Sequence, residues 1–310
     1  MKVCLVNFIF LAFSSTIGHS QFRKYSNEFL NIGAGARSMG MGGAQTASVS
    51  DATAGYWNPA ALADIKDYPS LSLMHAEYFA GIGKYDFGAI AIPMKQYNRT
   101  LAISILRFAV DDIPNTLFLV QPDGSINYGN IQTFSSADYA FLFSLAQKIK
   151  LRQSDRQLNV GVNAKIIYRN VGSFAKAWGF GIDAAVKYNF SKWTIGAVLK
   201  DATTTFNTWS FSFSDKEKEI LYLTKNDIPA KSTELTAPRL SVGGSYAFTL
   251  NKKAKLNTEL ALDITFDGKR NTLIYNKIAS IDPKLGMELN LSNTFFVRGG
   301  LYNFQRGLKD

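Results

Sequence analysis

The side chains best suited to acid–base or metal chemistry are scarce here: two histidines and one cysteine in 310 residues. Cys4 and His19 fall within the first twenty positions, so His75 stands alone in the rest of the chain. One imidazole without a thiol cannot build a zinc site or a thiol–imidazole pair. A serine triad on His75 would need Ser and Asp partners, and nothing in the run Leu73, Met74, His75, Ala76, Glu77 supports one. His75 reads as a mid-strand residue facing a pore or an interface. No enzyme activity, metal or cofactor is expected.

Three other chemistries fail on context. The glycines between 33 and 43 suggest a dinucleotide loop, but no strand–glycine loop–helix unit and no parallel sheet accompany them. The net charge of +10 suggests nucleic acid, yet the Lys and Arg residues are spread over many turns instead of forming a stripe. Asn98-Arg99-Thr100 and Asn189-Phe190-Ser191 match a glycosylation pattern, but both sit at expected tight turns and read as chance.

The elements that must position whatever this chain does begin with a leader. Lys2 precedes an apolar run over 3–13 that is too short to span a bilayer, and Gly18, His19 and Ser20 offer small residues for cleavage before Gln21. A signal peptide is therefore expected over 1–20, and with it goes the only cysteine. No run of eighteen apolar residues exists for a membrane helix. Gly (24), Tyr (14) and Phe (23) are frequent, which suits tight strand packing and aromatic girdles.

From about Ser70 onward the pattern is strand after strand. Eleven are expected: 70–79, 85–93, 99–109, 135–149, 157–169, 178–190, 192–201, 238–250, 255–267, 281–291 and 294–304. In 178–190, Trp178, Phe180, Ile182, Ala184 and Val186 fall on one face, with Gly179, Gly181, Asp183, Ala185 and Lys187 on the other. Lys165, Lys187, Glu259, Asp263 and Glu288 lie on polar faces, which suits a wet lumen. Tyr188, Phe190 and Trp193 crowd one turn, where a headgroup zone would hold them.

Gap lengths alternate. Short turns are expected at 94–98, 150–156, 191, 251–254 and 292–293, and longer connections at 110–134, 170–177, 202–237 and 268–280; 80–84 is the one brief member of the long set. That alternation is the signature of an outer-membrane barrel, with turns in the periplasm and loops outside. The chain is thus expected to be all-β, a transmembrane antiparallel β-barrel over 70–310. Residues 21–69 would form a hatch or plug on the periplasmic side or within the lumen. Eleven is odd and the tail after Gln305 is polar, so the barrel is expected to be incomplete at its C-terminal side.

Within 21–69, Gly33, Gly35, Arg37, Met39, Gly40 and Gly42, then Asp51, and then Trp57, Asn58 and Pro59 form an ordered pattern. Glycines permit close packing and positive φ, and Pro59 restrains Asn58 before it. This pattern, with Ala60, resembles the N-terminal signature of the PorV/PorQ family of outer-membrane proteins of the type IX secretion system, related in fold to FadL fatty-acid transporters. The resemblance implies a FadL-like barrel of about fourteen strands when complete, in a Gram-negative outer membrane, with the Asn-Pro-Ala segment acting as a hatch. It also implies binding of the C-terminal signal domains of secreted cargo and their transfer from translocon to surface-attachment machinery. The alternative is a FadL-like transporter of hydrophobic small molecules.

A cargo-binding barrel needs apolar surface on its outer loops. Leu117, Phe118 and Leu119 in 110–134, and Trp209, Phe211 and Phe213 in 202–237, are the candidates, unless they extend barrel hairpins and pack on one another. Arg37 and Asp51 are the charged hatch residues of interest. A charge inside a barrel must be paired or hydrated, so Arg37 is expected to meet Asp263, Glu259 or Glu288.

Overall fold

A computed structural model describes residues 21–22, 26–121, 123–151 and 156–305. The expected leader and the last five residues lie outside these. The main strands are β2 (Ser70–Tyr78), β3 (Gly83–Met94), β4 (Arg99–Asn115), β5 (Gln132–Lys150), β6 (Arg156–Val171), β7 (Ala175–Phe190) and β8 (Trp193–Lys200). They continue with β11 (Arg239–Asn251), β12 (Ala254–Thr265), β14 (Ser280–Leu291) and β15 (Phe295–Leu301), and all eleven expected strands are present. Short additions are β1 (Gln21–Phe22), β9 (Thr205–Phe211), β10 (Ser232–Thr236) and β13 (Ile274–Tyr275). Every main strand pairs antiparallel with its neighbour, from β2 at one edge to β15 at the other. The protein is all-β, and among the described residues its sheet curls around the N-terminal segment without closing: β2 and β15 do not pair.

Two connections differ from expectation. Residues 110–115 extend β4 instead of opening a loop, and 202–237 contains the hairpin β9–β10 with helix α3 (Asp215–Leu223) at its tip. β8 pairs with one half of β7 and β9 with the other, so β8 and β9 run in line, interrupted at 201–204. Asp201 and Thr204 there adopt positive φ, which turns the chain aside before it resumes the sheet. The interruption is polar in sequence, and strand alternation is lost across it.

Inside the curl, residues 26–65 form 3-10 turns at Glu28–Asn31 and Pro59–Asp64 and helices α1 (Ala36–Gly40) and α2 (Ala54–Trp57). Their apolar side chains, among them Phe29, Val49, Trp57 and Leu62, pack on Tyr85, Phe87, Leu106, Leu142 and Ile167 of β3–β6. The inward face of β3–β5 is therefore packed and largely apolar, unlike the polar inward faces expected on β6, β7, β12 and β14. The cause is this internal segment, which brings its own apolar surface to that half of the wall. Across the other half, the inward residues are Asn163, Lys165, Asp183, Lys187 and Glu259, all buried.

The outward face is the reverse. On β7, Trp178, Phe180, Ile182 and Val186 are 53%, 58%, 47% and 46% exposed, while inward Asp183 and Lys187 are 5% and 4% exposed. A soluble sheet arranges these types the other way round. Tyr139, Tyr168 and Trp178 form an aromatic row on adjacent strands, with ring centroids 6.1 and 4.7 Å apart. His75, Asp86 and Arg107 continue that row by register. A second set, Tyr188 with Phe190 and Trp193 with Tyr246 and Phe248, marks the short-turn end. Ten residues separate Trp178 from Tyr188, which at ~3.4 Å per residue and ~40° tilt is a band roughly 25 Å tall.

Candidate functional site

The residue pattern of 33–59 converges on one structure, the lock between the internal segment and the wall. Gly33, Gly35 and Gly42 take positive φ, at +106°, +90° and +62°, where an L side chain is strained. At Gly42 space is also absent: an added Cβ would lie 2.9 Å from the backbone nitrogen of Leu301. The opposite edge is as close, since the Gly35 amide points at Met74 Sδ of β2 at 3.2 Å. Helix α1 thus sits between the two unpaired edges of the sheet.

Arg37 leaves α1 and donates to Glu288 at 2.9 and 3.2 Å, to Gln45 Oε1 at 2.6 Å and to the Ser48 carbonyl at 3.2 Å. Of the three expected carboxylates, Glu288 is the partner, and Arg298 donates to it from β15 at 2.7 Å. Glu259, 1% exposed, accepts instead from the backbone amides of Ala47 and Ser48 at 2.7 and 2.8 Å. Asp263 pairs with Lys284 at 2.6 Å. Asp51 stays local: it accepts from the amide and hydroxyl of Thr53 at 2.8 and 2.5 Å, just ahead of α2.

Trp57, Asn58 and Pro59 anchor the other side. Trp57 Nε1 donates to the Ala34 carbonyl at 2.8 Å, tying α2 back to the glycine run. Asn58 is fully buried; its Nδ2 donates to the Thr46 carbonyl at 2.6 Å and its Oδ1 accepts from the Ala60 amide at 3.0 Å. Pro59 opens the 3-10 turn that Asn58 caps, a place where its missing N–H costs nothing. The backbone here lies directly on the wall: a Cβ on Gly161 would be 2.3 Å from Ala60 N, and one on Gly196 2.2 Å from Thr46 O. Met39 is 41% exposed with its sulfur over Gly33, and Gly40 lies against the Arg298 side chain.

One anchor was not foreseen. Lys187 donates to Asp64 at 2.9 Å and to the Val49 carbonyl at 3.1 Å. Burial opposes ionisation of Asp64, but the Lys187 ammonium and the amides of Asn159 and Gln157 outweigh it and hold its carboxyl below the ordinary value. Asp64 carries no local sequence signal; the inward placement of Lys187 was the available clue.

The loop residues expected to offer a partner surface divide. Trp209 lies beneath the Arg169 guanidinium, 5.1 Å from it, and stacks on Phe211 at 6.2 Å; Phe213 meets Phe174 at 6.0 Å. All three are half-buried and belong to, or flank, the β9 hairpin, so they extend the sheet and pack on it. Leu117, Phe118 and Leu119 are half-buried as well. The apolar residues most open to solvent at the long-loop end are Phe79, Tyr128, Tyr222, Leu223 and Ile278, at 80%, 73%, 80%, 70% and 73%. His75 projects outward, 2.7 Å from Asp86, and so does not face the interior. Among the described residues, no three His, Cys, Asp or Glu side chains gather into a metal site.

Fold and site together define a class: an antiparallel, barrel-like sheet with an apolar exterior and a filled, partly charged interior. No protein-family model and no curated protein matches the chain.

Proposed function

We propose that this chain is an outer-membrane barrel of the PorV type, which binds the signal domains of secreted cargo at its long-loop end and passes them from translocon to attachment machinery. The observation that carries the membrane part is the inverted β7, with half-exposed Trp178, Phe180, Ile182 and Val186 outside and buried Asp183 and Lys187 inside. Hydrocarbon is the solvent in which that distribution is stable, and the two aromatic rows match its thickness. The filled interior supports a binding role over a channel, because Arg37, Glu259 and Lys187 tie the segment to the wall on several sides. Exposed Tyr128, Tyr222 and Leu223 supply apolar loop surface for a protein partner.

A second reading has its own observation. The interruption at 201–204 lies beside the internal segment, where Asp201 shares a cleft with Ser26, Asn27 and Asn31, as an opening for lateral passage of a hydrophobic molecule would. Charged residues across half the interior oppose an apolar route. Mild solubilisation from the native outer membrane, followed by identification of what co-purifies, separates the two. Secreted proteins with intact C-terminal sorting domains are expected. Recovery of fatty acids or other lipids in stoichiometric amount without such proteins would overturn the cargo reading in favour of transport.

A further inference from the structure

Above the lock, toward the long loops, the interior holds a cavity of about 320 Å³, at the lower end of the range for small-ligand sites. Its wall carries an unusual charge pattern. Lys200 of β8 lies directly opposite Arg239 of β11 in register, and Asp263 of β12 directly opposite Asp282 of β14. Like charges in direct cross-strand pairs are destabilising, and both pairs line this one cavity.

Neighbouring groups compensate only part of it. Asp263 is met by Lys284 at 2.6 Å and by Ser241 at 2.5 Å. Glu28 is taken by Arg270 at 2.9 Å, and Asp183 by Lys165 at 3.0 Å. Among the described residues no carboxylate comes within ion-pair distance of Lys200 or Arg239. Lys200 Nζ instead faces the rings of Tyr56 and Trp57, 4.9 and 5.7 Å from their centroids. Arg239 donates to the amide oxygen of Asn31 at 2.5 Å. At the other pole, Asp282 Oδ1 is buried without a hydrogen-bond partner among the described residues, as is the hydroxyl of nearby Thr265. Buried polar groups without partners are rare and costly.

We propose that this cavity binds a small zwitterion of amino-acid size, its carboxylate between Lys200 and Arg239 and its ammonium at Asp282. Such a ligand supplies a direct ion pair at both poles, where neighbouring opposite charges stand farther off, while Tyr56 and Trp57 form an aromatic floor for its carbon skeleton. The inference does not depend on the cargo reading. Because the floor belongs to the internal segment, occupancy of the cavity would also brace α2 in place.

Titration calorimetry of the intact protein in mild detergent at low ionic strength, with L-alanine as the probe, tests this. Saturable binding is expected, weakened at least tenfold by Lys200→Met and by Asp282→Asn. Sodium acetate and methylammonium chloride, which each carry one of the two charges, should bind at least tenfold more weakly than alanine. Asp282→Asn is nearly isosteric, and unchanged near-ultraviolet circular dichroism confirms that each variant is folded. Absence of alanine binding, binding indifferent to both substitutions, or acetate binding equal to alanine's would overturn the proposal.

Discussion

The two faces of β7 are made by the same stretch of backbone, yet they follow opposite rules. Outward, Trp178, Phe180, Ile182 and Val186 stand half exposed, Trp178 beside Tyr168 of the same face. Inward, Asp183 and Lys187 are buried, but each has a partner: Lys165 for Asp183 and Asp64 for Lys187. The contrast teaches that burial and hydrophobicity are decoupled in this molecule. What decides each position is the medium outside and the supply of counter-charge inside.

The largest test of that contrast lies on the outer face. Ile182→Arg should destabilise the protein in bilayers by about 2–4 kcal/mol if hydrocarbon surrounds it, against roughly 0.5 kcal/mol or less for an ordinary exposed position. Urea titration in vesicles measures the difference. Next comes Gly161→Val, where the new side chain must displace the backbone at Ala60. A cost of about 3 kcal/mol is expected, visible as increased protease cleavage within 26–65 while the strands stay protected.

Glu288→Gln should follow, at about 2 kcal/mol. It leaves the Arg37 and Arg298 guanidiniums without their shared carboxylate, and partial exposure of both arginines limits the effect. Loss of the protease protection of 26–65, without loss of strand content by circular dichroism, is the readout. The smallest effect is the pH dependence of the Asp64 anchor. Its carboxyl is held below the ordinary value, so its contribution is fully present above the ordinary carboxylate range, near pH ~4. It fades as the pH falls through the lower folded value. Protection of 26–65 should therefore be flat from neutrality to about pH 5 and decline below about pH 4, and Lys187→Met should remove that decline.

Much of this was legible in the sequence because strand alternation is local. The faces of β7 follow directly from Trp178 to Lys187, and the carboxylate awaiting Arg37 was among three inward candidates. What was hidden depends on the internal segment. Phe87 and Leu106 face inward and Ile90 and Ile103 outward, so β3 and β4 are apolar on both sides, and only the presence of Phe29, Val49 and Leu62 explains why. The β9–β10 hairpin was hidden for another reason: the polar interruption at 201–204 reads as the start of a loop, and the resumption of pairing with β7 is a long-range event. The like-charge pairs Lys200–Arg239 and Asp263–Asp282 were equally invisible, since register between strands is not written in either strand alone.

The central claim is that the exterior of this sheet meets hydrocarbon and the interior does not. Single nitroxide labels placed along 178–188 of β7, read by their collision with oxygen and with a water-soluble nickel chelate in lipid vesicles, test it most directly. The account predicts strict alternation: labels at 180, 182, 184 and 186 meet oxygen and exclude nickel, while those at 181, 183 and 185 exclude oxygen. Equal nickel access at 180, 182, 184 and 186 would contradict it, because those side chains would then stand in water.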